Sequence, residues 1–308
     1  MSTALKDAMN RYLDRCRRRE LSASSMHNYA SALRKFAELA NTHGHTLVST
    51  LDRQLVEHYL DHLADEGQTK RTQAHRLQVL RQFISFARVE RLINRDPTEG
   101  LRLRWRQKRV TAPEMSALVT MVQRIPADGS WLDVRDRAIL MLTLETALRV
   151  SEVAWLDVPD PTRSVAHTVD LARREAVVKA KGGESQPVVF SETTARALDA
   201  WLRVRAQIDT GRSPALFLSR RKLRMTRATL HVMVRRRAEA AGIAQMHYHL
   251  LRHRRIGDVV ERLGIQMGQA LARHQHASTT VNVYGHHAQR VVRERLQAEA
   301  AITWGEAA

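Results

Sequence analysis

Residues 132–153 read LDVRDRAILMLTLETALRVSEV. From Leu132 to Leu144 the segment is strongly apolar, which predicts a buried helix, too short to cross a membrane. Arg149 follows just past its end, with Glu152 three residues further on. An arginine directly behind a buried helix, with a carboxylate at helical spacing, is placed to be held in position rather than merely solvated.

Upstream, the first hundred residues also read as helices. Leu5, Met9, Tyr12, Leu13 and Cys16 recur at helical spacing, as do Met26, Tyr29, Leu33, Phe36, Ala37 and Ala40 behind the capping serines Ser22, Ser24 and Ser25. A third stripe, Leu55, Val56, Tyr59, Leu60 and Leu63, ends at Gly67, and a fourth runs Leu77, Leu80, Phe83, Ile84 and Ala87 after Thr69. The pattern predicts a compact four- or five-helix unit over residues 1–98. Asp96-Pro97 and Gly100 then break it, and Arg102, Arg104, Arg106, Lys108 and Arg109 follow before Pro113 restarts a helix. Residues 99–112 thus form a basic connector, readable as a solvated linker or as a strap across phosphates.

The second unit, residues 113–308, is expected to be mainly α-helical with one small antiparallel β-sheet. Around Thr168–Leu171, Ala176–Val178 and Val188–Phe190 the period shortens and β-branched residues gather, with Lys181-Gly182-Gly183 as a hairpin tip. Helices are expected to resume at Ser191, Thr226 and His249 and after Tyr284.

Composition narrows the function classes. The 308 residues carry 50 Lys+Arg against 32 Asp+Glu, a formal net charge of +18, and the basic residues are spread along the chain. Such a charge favours a polyanionic partner, and nucleic acid leads. No apolar run approaches the roughly 20 residues of a membrane span. The N-terminus, with Lys6, Asp7 and Arg11, lacks a signal peptide's apolar stretch. The single cysteine, Cys16, can form no internal disulfide, which fits a reducing cytoplasm.

Chemistry-bearing residues gather late in the chain. His249 and Arg252 are three apart and share a helix face; His274 follows a glycine-containing turn; Tyr284 closes Ser278-Thr279-Thr280-Val281-Asn282-Val283-Tyr284. Together with Thr146–Val153 and Ala180-Lys181-Gly182-Gly183, these segments resemble the boxes of the tyrosine recombinases. Thr146–Val153 is similar to T-G-L-R-x-S-E-L, Ala180–Gly183 to the G-K-G lysine hairpin, His249–His253 to H-x-L-R-H, Arg273-His274 to L-G-H, and Thr280–Tyr284 to T-x-N-x-Y. All six positions occur in order, and the N-terminal block resembles the family's core-binding domain.

The resemblance implies a DNA strand-breaking and rejoining enzyme with catalytic residues Arg149, Lys181, His249, Arg252, His274 and Tyr284. The arginines would clamp the phosphate oxygens with planar forks. His249 would take the phenol proton, Lys181 would protonate the departing 5′ oxygen, and His274 would hydrogen-bond the phosphate. A 3′-phosphotyrosyl link would store the bond energy, so neither cofactor, metal nor ATP is expected. The implied partners are duplex DNA with inverted-repeat sites, three further copies of the chain on two such sites, and an accessory DNA-binding protein in some systems. The amphipathic tail after Ala288 would dock on a neighbouring protomer. Alternatives are relaxation of DNA in the manner of a type IB topoisomerase, or a catalytically silent DNA-binding regulator.

The sequence departs from the family pattern at Ala147 and Ala180, where glycines are common, at Glu184-Ser185-Gln186, where K-x-R is common, and at Ala272-Arg273 before the second histidine. His276 is a second candidate for that histidine. His253 reads as a packed histidine, Glu152 as an orienter of Arg149 or a helix cap, Tyr59 and Tyr248 as core or surface residues, and Arg235–Arg237 as a solvated or phosphate-facing helix side. The spread of basic charge makes one prediction. Affinity for duplex DNA, measured by fluorescence anisotropy, should fall about 10³-fold or more between roughly 50 and 200 mM salt if about six or more phosphates are neutralised; a flat response would contradict an extended basic footprint.

Overall fold

The structure is a computed structural model describing residues 3–105, 112–160, 167–179, 185–208, 211, 213–273, 278, 280, 281 and 283–285. The chain divides into two compact units, Met1–Arg109 and Val110–Ala308.

Side chains cap three of the helix starts described in the first unit. Helices α1 (Leu5–Arg18), α2 (Ala23–Thr42), α3 (Arg53–Asp65) and α4 (Lys70–Val89) are the α-helices among its described residues. Ser22, Asp52 and Thr69 accept hydrogen bonds from backbone N–H groups of the first turns of α2, α3 and α4, satisfying donors that a helix start leaves orphaned. The apolar stripes converge on one core containing Leu33, Phe36, Tyr59, Leu63, Leu80 and Phe83, and Cys16 is buried in it. The Tyr59 hydroxyl donates to the Ala32 carbonyl at 3.2 Å, so this tyrosine is a core residue. The start of the basic connector lies on this unit: Leu101 and Leu103 pack on its core, and the Arg71 guanidinium stacks 5.5 Å from the Trp105 ring centroid. Residues 106–111, with Arg106, Lys108 and Arg109, lie outside the described residues.

The second unit is built around α6 (Trp131–Thr146), the predicted apolar helix extended by one residue at its start and two at its end. Ser130 and Asp133 form a reciprocal capping box at its start. Its neighbours are α5 (Met115–Gln123), α7 (Val150–Trp155), α8 (Glu192–Ile208), α9 (Arg227–Ala240), α10 (Tyr248–Leu263) and α11 (Ile265–Ala272). The sheet is three-stranded and antiparallel in the order β1 (Thr168–Asp170), β2 (Glu175–Lys179), β3 (Ser185–Val189), with Thr168 opposite Val177 and Ala176 opposite Val188. The expected hairpin tip with Lys181 lies outside the described residues. No helix among the described residues is long and apolar enough to cross a membrane.

Two polar contacts fix α9 and α10 against α6. Arg237 does not face solvent with its neighbours Arg235 and Arg236: its side chain pairs with Asp133 and Asp136 of α6, each at 2.7 Å. Asp136 is itself buried and paired with Arg135, so the helix-to-helix packing places Arg237 where two carboxylates need compensation. The buried Tyr248 hydroxyl meets Thr143 Oγ1 of α6 at 2.7 Å, anchoring the first turn of α10.

Helix α11 lies close against α10 because residue 268 is glycine. A Cβ there would stand 2.2 Å from Val260 Cγ2 and 3.6 Å from the Ile256 carbonyl oxygen. Valine has little rotameric freedom to yield within a helix. Gly268→Ala should therefore lower unfolding free energy by about 1–2 kcal/mol despite alanine's better helix propensity, as read by urea denaturation.

Candidate active site

Two helix ends create the site. Helix α6 stops at Ala147, which takes left-handed backbone angles (φ 50°, ψ 32°), and α11 stops at Arg273 in the same region (φ 50°, ψ 46°). A left-handed residue after the last turn is a common helix ending, usually filled by glycine, because a Cβ costs roughly 1 kcal/mol or more there. These are the positions 147 and 273 at which the sequence lacks the expected glycines; the backbone keeps the glycine conformation with an alanine and an arginine in place. The terminal carbonyls of both helices are left without intrahelical donors and carry the negative end of the helix dipole.

Guanidinium groups fill those vacant acceptors. Arg252 of α10 is 2% exposed and donates through Nη1 to the Ala147 carbonyl and through Nη2 to the Ala272 carbonyl. Arg149, at the start of α7, points Nη2 toward the Ala272 and Arg273 carbonyls at 3.5 and 3.3 Å. Its side chain remains 42% exposed. Both arginines thus converge on the end of α11 although 103 positions separate them in the chain.

Glu152 organises the cluster. One carboxylate oxygen, Oε1, accepts from Arg149 Nη1 at 2.8 Å; the other, Oε2, accepts from the Arg149 backbone N–H at 2.6 Å and from Arg273 Nη2 at 2.6 Å. Both roles read from the sequence, orienting Arg149 and capping α7, are therefore filled by the same side chain. Burial alone would raise its pKa, but the charges of Arg273 and Arg149 and the Arg149 hydrogen bonds outweigh it and hold the carboxyl below its ordinary value. Arg252 is depressed to about 10, first by burial and then by the positive charges of Arg149 and Arg273.

Tyr284 packs on these same helix ends. It is 3% exposed, in a small cluster with Ala147, Ala272, Ile256 and Val260, and its ring centroid lies 4.8 Å from that of His253. His253 is buried, in keeping with the packing role read from the sequence. Burial pushes the Tyr284 phenol up to about 12, and the charge of Arg252 works in the opposite direction. The phenol is interior but electrostatically coupled to the guanidinium cluster.

His249, one helical turn before Arg252, is exposed. Partial desolvation and the positive charges of Arg252, His247, His231 and Arg149 lower its pKa from the usual histidine value. The imidazole is consequently neutral at pH 7 and able to accept a proton. Of the six expected site residues, Arg149, His249, Arg252 and Tyr284 are described and gathered on one side of the second unit; Lys181 and His274, like the alternative His276 and the tail beyond residue 285, lie outside the described residues. The buried role of Arg273 went unread in the sequence. Its signal was the substitution itself, since a long cationic side chain at a close-packed glycine position must find an anion or an exit to water.

The chain is similar to known proteins over most of its length. The profile of the phage integrase family matches residues 108–290, and that of the phage integrase N-terminal SAM-like domain matches residues 9–91. Tyrosine recombinase XerC of Haemophilus influenzae (strain PittEE) is 30% identical over 297 residues, covering 91% of this chain and 92% of that protein. Tyrosine recombinase XerC of Ralstonia pickettii (strain 12J) is 29% identical over 255 residues, covering 79% and 77%. Among solved structures, the Tn1549 transposon integrase in complex with transposon right end DNA has a similar fold, with a TM-score of 0.72 at 14% identity, over 97% of this chain and 100% of that one.

Glu152 makes a prediction about stability and pH. Because its folded pKa is depressed, its contribution is present above the unfolded-state carboxyl value and is lost as pH falls through the folded value. Glu152→Gln should therefore cost about 2–4 kcal/mol at neutral pH, by leaving buried guanidinium groups without their counter-charge. The gap to wild type should close on acidification below the usual carboxylate range, as measured by denaturation at a series of pH values.

Proposed function

Because this chain belongs to the phage integrase family of tyrosine recombinases, enzymes that cut and rejoin DNA in site-specific recombination, we propose that it cleaves through Tyr284 and forms a 3′-phosphotyrosyl intermediate. The phenol oxygen attacks a backbone phosphorus, the new O–P bond replaces the bond to the 5′ oxygen, and the proton of the phenol passes to His249. Lys181 donates a proton to the departing 5′ oxygen and His274 hydrogen-bonds the phosphate. A second strand's 5′ hydroxyl then reverses the step, and no external energy source enters.

The observation that carries this reading is the shared footing of nucleophile and clamp: Tyr284 lies in one buried cluster with Ala147 and Ala272, whose carbonyls hold Arg252. Ionising a phenol with a pKa near 12 at pH 7 costs about 7 kcal/mol, so attack needs both a base and a charge partner. Arg149 and Arg252 supply the partner, since their forks match two phosphate oxygens and the negative charge that gathers on them in the transition state. A phosphodiester also relieves the mutual repulsion that depresses Arg252.

We assign residues 1–98 to the core-binding domain, 99–112 to a basic connector and 113–308 to the catalytic domain. The partner is duplex DNA carrying inverted repeats, joined by a tetramer of the chain across two sites, in the movement of a mobile element or the resolution of a replicon. Duplex DNA as partner is supported by the Tn1549 integrase having been solved on its transposon end. The amphipathic segment from Val291 to Trp304 serves as the tail exchanged between protomers.

The test uses a duplex selected from a random-sequence pool by binding to the full chain, prepared as a series with a nick at each position in turn. Wild type should become covalently attached to DNA, and Tyr284→Phe should give no adduct. An adduct that persists in the phenylalanine variant would refute the assignment of the nucleophile. Arg149→Ala and Arg252→Ala should each slow cleavage by about 10²–10³-fold or more. With His249 as base and its pKa depressed, the wild-type rate should hold at neutral pH and fall only as pH drops below the usual histidine value of about 6.5; His249→Gln should remove that acid limb.

A further inference from the structure

Arg273 is the one member of the guanidinium cluster to which neither the sequence motifs nor the reaction assigns a task. Its side chain is 8% exposed, as is that of its partner Glu152. Its Nη2 donates at 2.6 Å to the same carboxylate oxygen that accepts from the Arg149 backbone, while Nη1 reaches toward the Leu271 carbonyl at 3.4 Å. The Arg273 carbonyl in turn accepts from Arg149 Nη2 at 3.3 Å. A closed ring results: Arg149 to Glu152, Glu152 to Arg273, and Arg273 back to Arg149.

Resting on the proposed function above, we propose that Arg273 is a positioning residue for DNA cleavage, locking Glu152 so that the guanidinium of Arg149 is held toward the scissile phosphate. Three features support this. Arg149 is the half-exposed member of the ring, whereas Arg273 faces the carboxylate and is buried. With only Arg149 to pair with, Glu152 would hold one long, mobile side chain across its own helix turn; with Arg273 bound to Oε2, the carboxylate is tied to both helix ends and can rotate neither way. The position also carries a conformational cost, since an arginine adopts left-handed angles at a site suited to glycine. The buried pair with Glu152 offsets that cost, so the side chain is retained for what it contacts. The positive charge of Arg273 further contributes to holding Glu152 ionised.

Arg273→Gly is the informative variant, because glycine adopts the left-handed angles without strain and leaves the ending of α11 intact. On the selected nicked duplex, with wild type and Tyr284→Phe alongside, Arg273→Gly should lower the single-turnover rate of adduct formation by about 10–100-fold, the effect of a small misplacement of a catalytic group, while DNA affinity changes less than about twofold. Arg273→Lys should restore part of the rate. In a Glu152→Gln background, Arg273→Gly should slow the reaction little further, because the two act in series. A readout without DNA completes the test: the Glu152 side-chain carboxyl, followed by NMR, should titrate at higher pH in Arg273→Gly than in wild type. An unchanged cleavage rate in Arg273→Gly, full additivity with Glu152→Gln, or an unmoved Glu152 titration would each overturn the proposal. Absence of any wild-type adduct across the nick series would instead bring down the functional reading on which it rests, a result distinct from an active wild type with an equally active Arg273→Gly.

Discussion

Everything at the site depends on guanidinium groups seated on the carbonyl ends of two helices. Helices α6 and α11 both stop in a left-handed turn, at Ala147 and Arg273, and each stop leaves carbonyl oxygens without intrahelical donors. Arg252 bridges the two ends and Arg149 joins it at the second. A guanidinium suits this task because its donors are planar and fixed, it stays charged even when its pKa is depressed to about 10, and it retains N–H groups for a further oxygen. The same bonds that cap the helices therefore pre-aim the cations, so little reorganisation is left for the moment of reaction.

Charge and burial oppose one another across the cluster. Arg149 and Arg273 share one buried carboxylate, Glu152, while Arg252 is bound by backbone carbonyls, which leaves an excess of positive charge among the described residues of the cluster in a poorly solvated place. Burial first, and then that excess, depresses Arg252 and His249, and the charge of Arg252 counters the burial that lifts Tyr284. In the proposed reaction a phosphodiester supplies the missing negative charge. The overall charge of +18 favours DNA without regard to sequence, whereas in the proposed reaction this local excess selects one phosphate within it.

The scaffold around the cluster is correspondingly stiff. Thr143 and Tyr248 join α6 to the first turn of α10, Arg237 ties α9 to the carboxylates of α6, and Gly268 lets α11 approach α10 closely enough for the Ala272 carbonyl to reach Arg252. Each of these contacts lies outside the reacting groups and determines where one of them sits. Sites that act by positioning need such backing, since a displacement of about 1 Å at the reacting atoms can cost on the order of 10²-fold in rate.

Much of this was written locally. Helix starts at Ser22, Thr69 and Thr226, the apolar run of α6 and the three short strands follow from capping chemistry and hydrophobic period, because both act within a few residues. The resemblance of the ordered arginine, histidine and tyrosine boxes to those of the tyrosine recombinases named the candidate residues; i and i+3 spacing by itself puts only His249 and Arg252 on one face. Tertiary structure alone decided which partners they meet. Nothing near Arg273 in the chain announces that it will pair with Glu152, 121 residues earlier, nor does the run at Arg235–Arg237 reveal that its last member turns inward to Asp133 and Asp136. Sequence periodicity specifies which face of a helix is apolar, but a buried charge is placed by the counter-charge that packing brings to it, and that depends on helices joined only when the chain has folded.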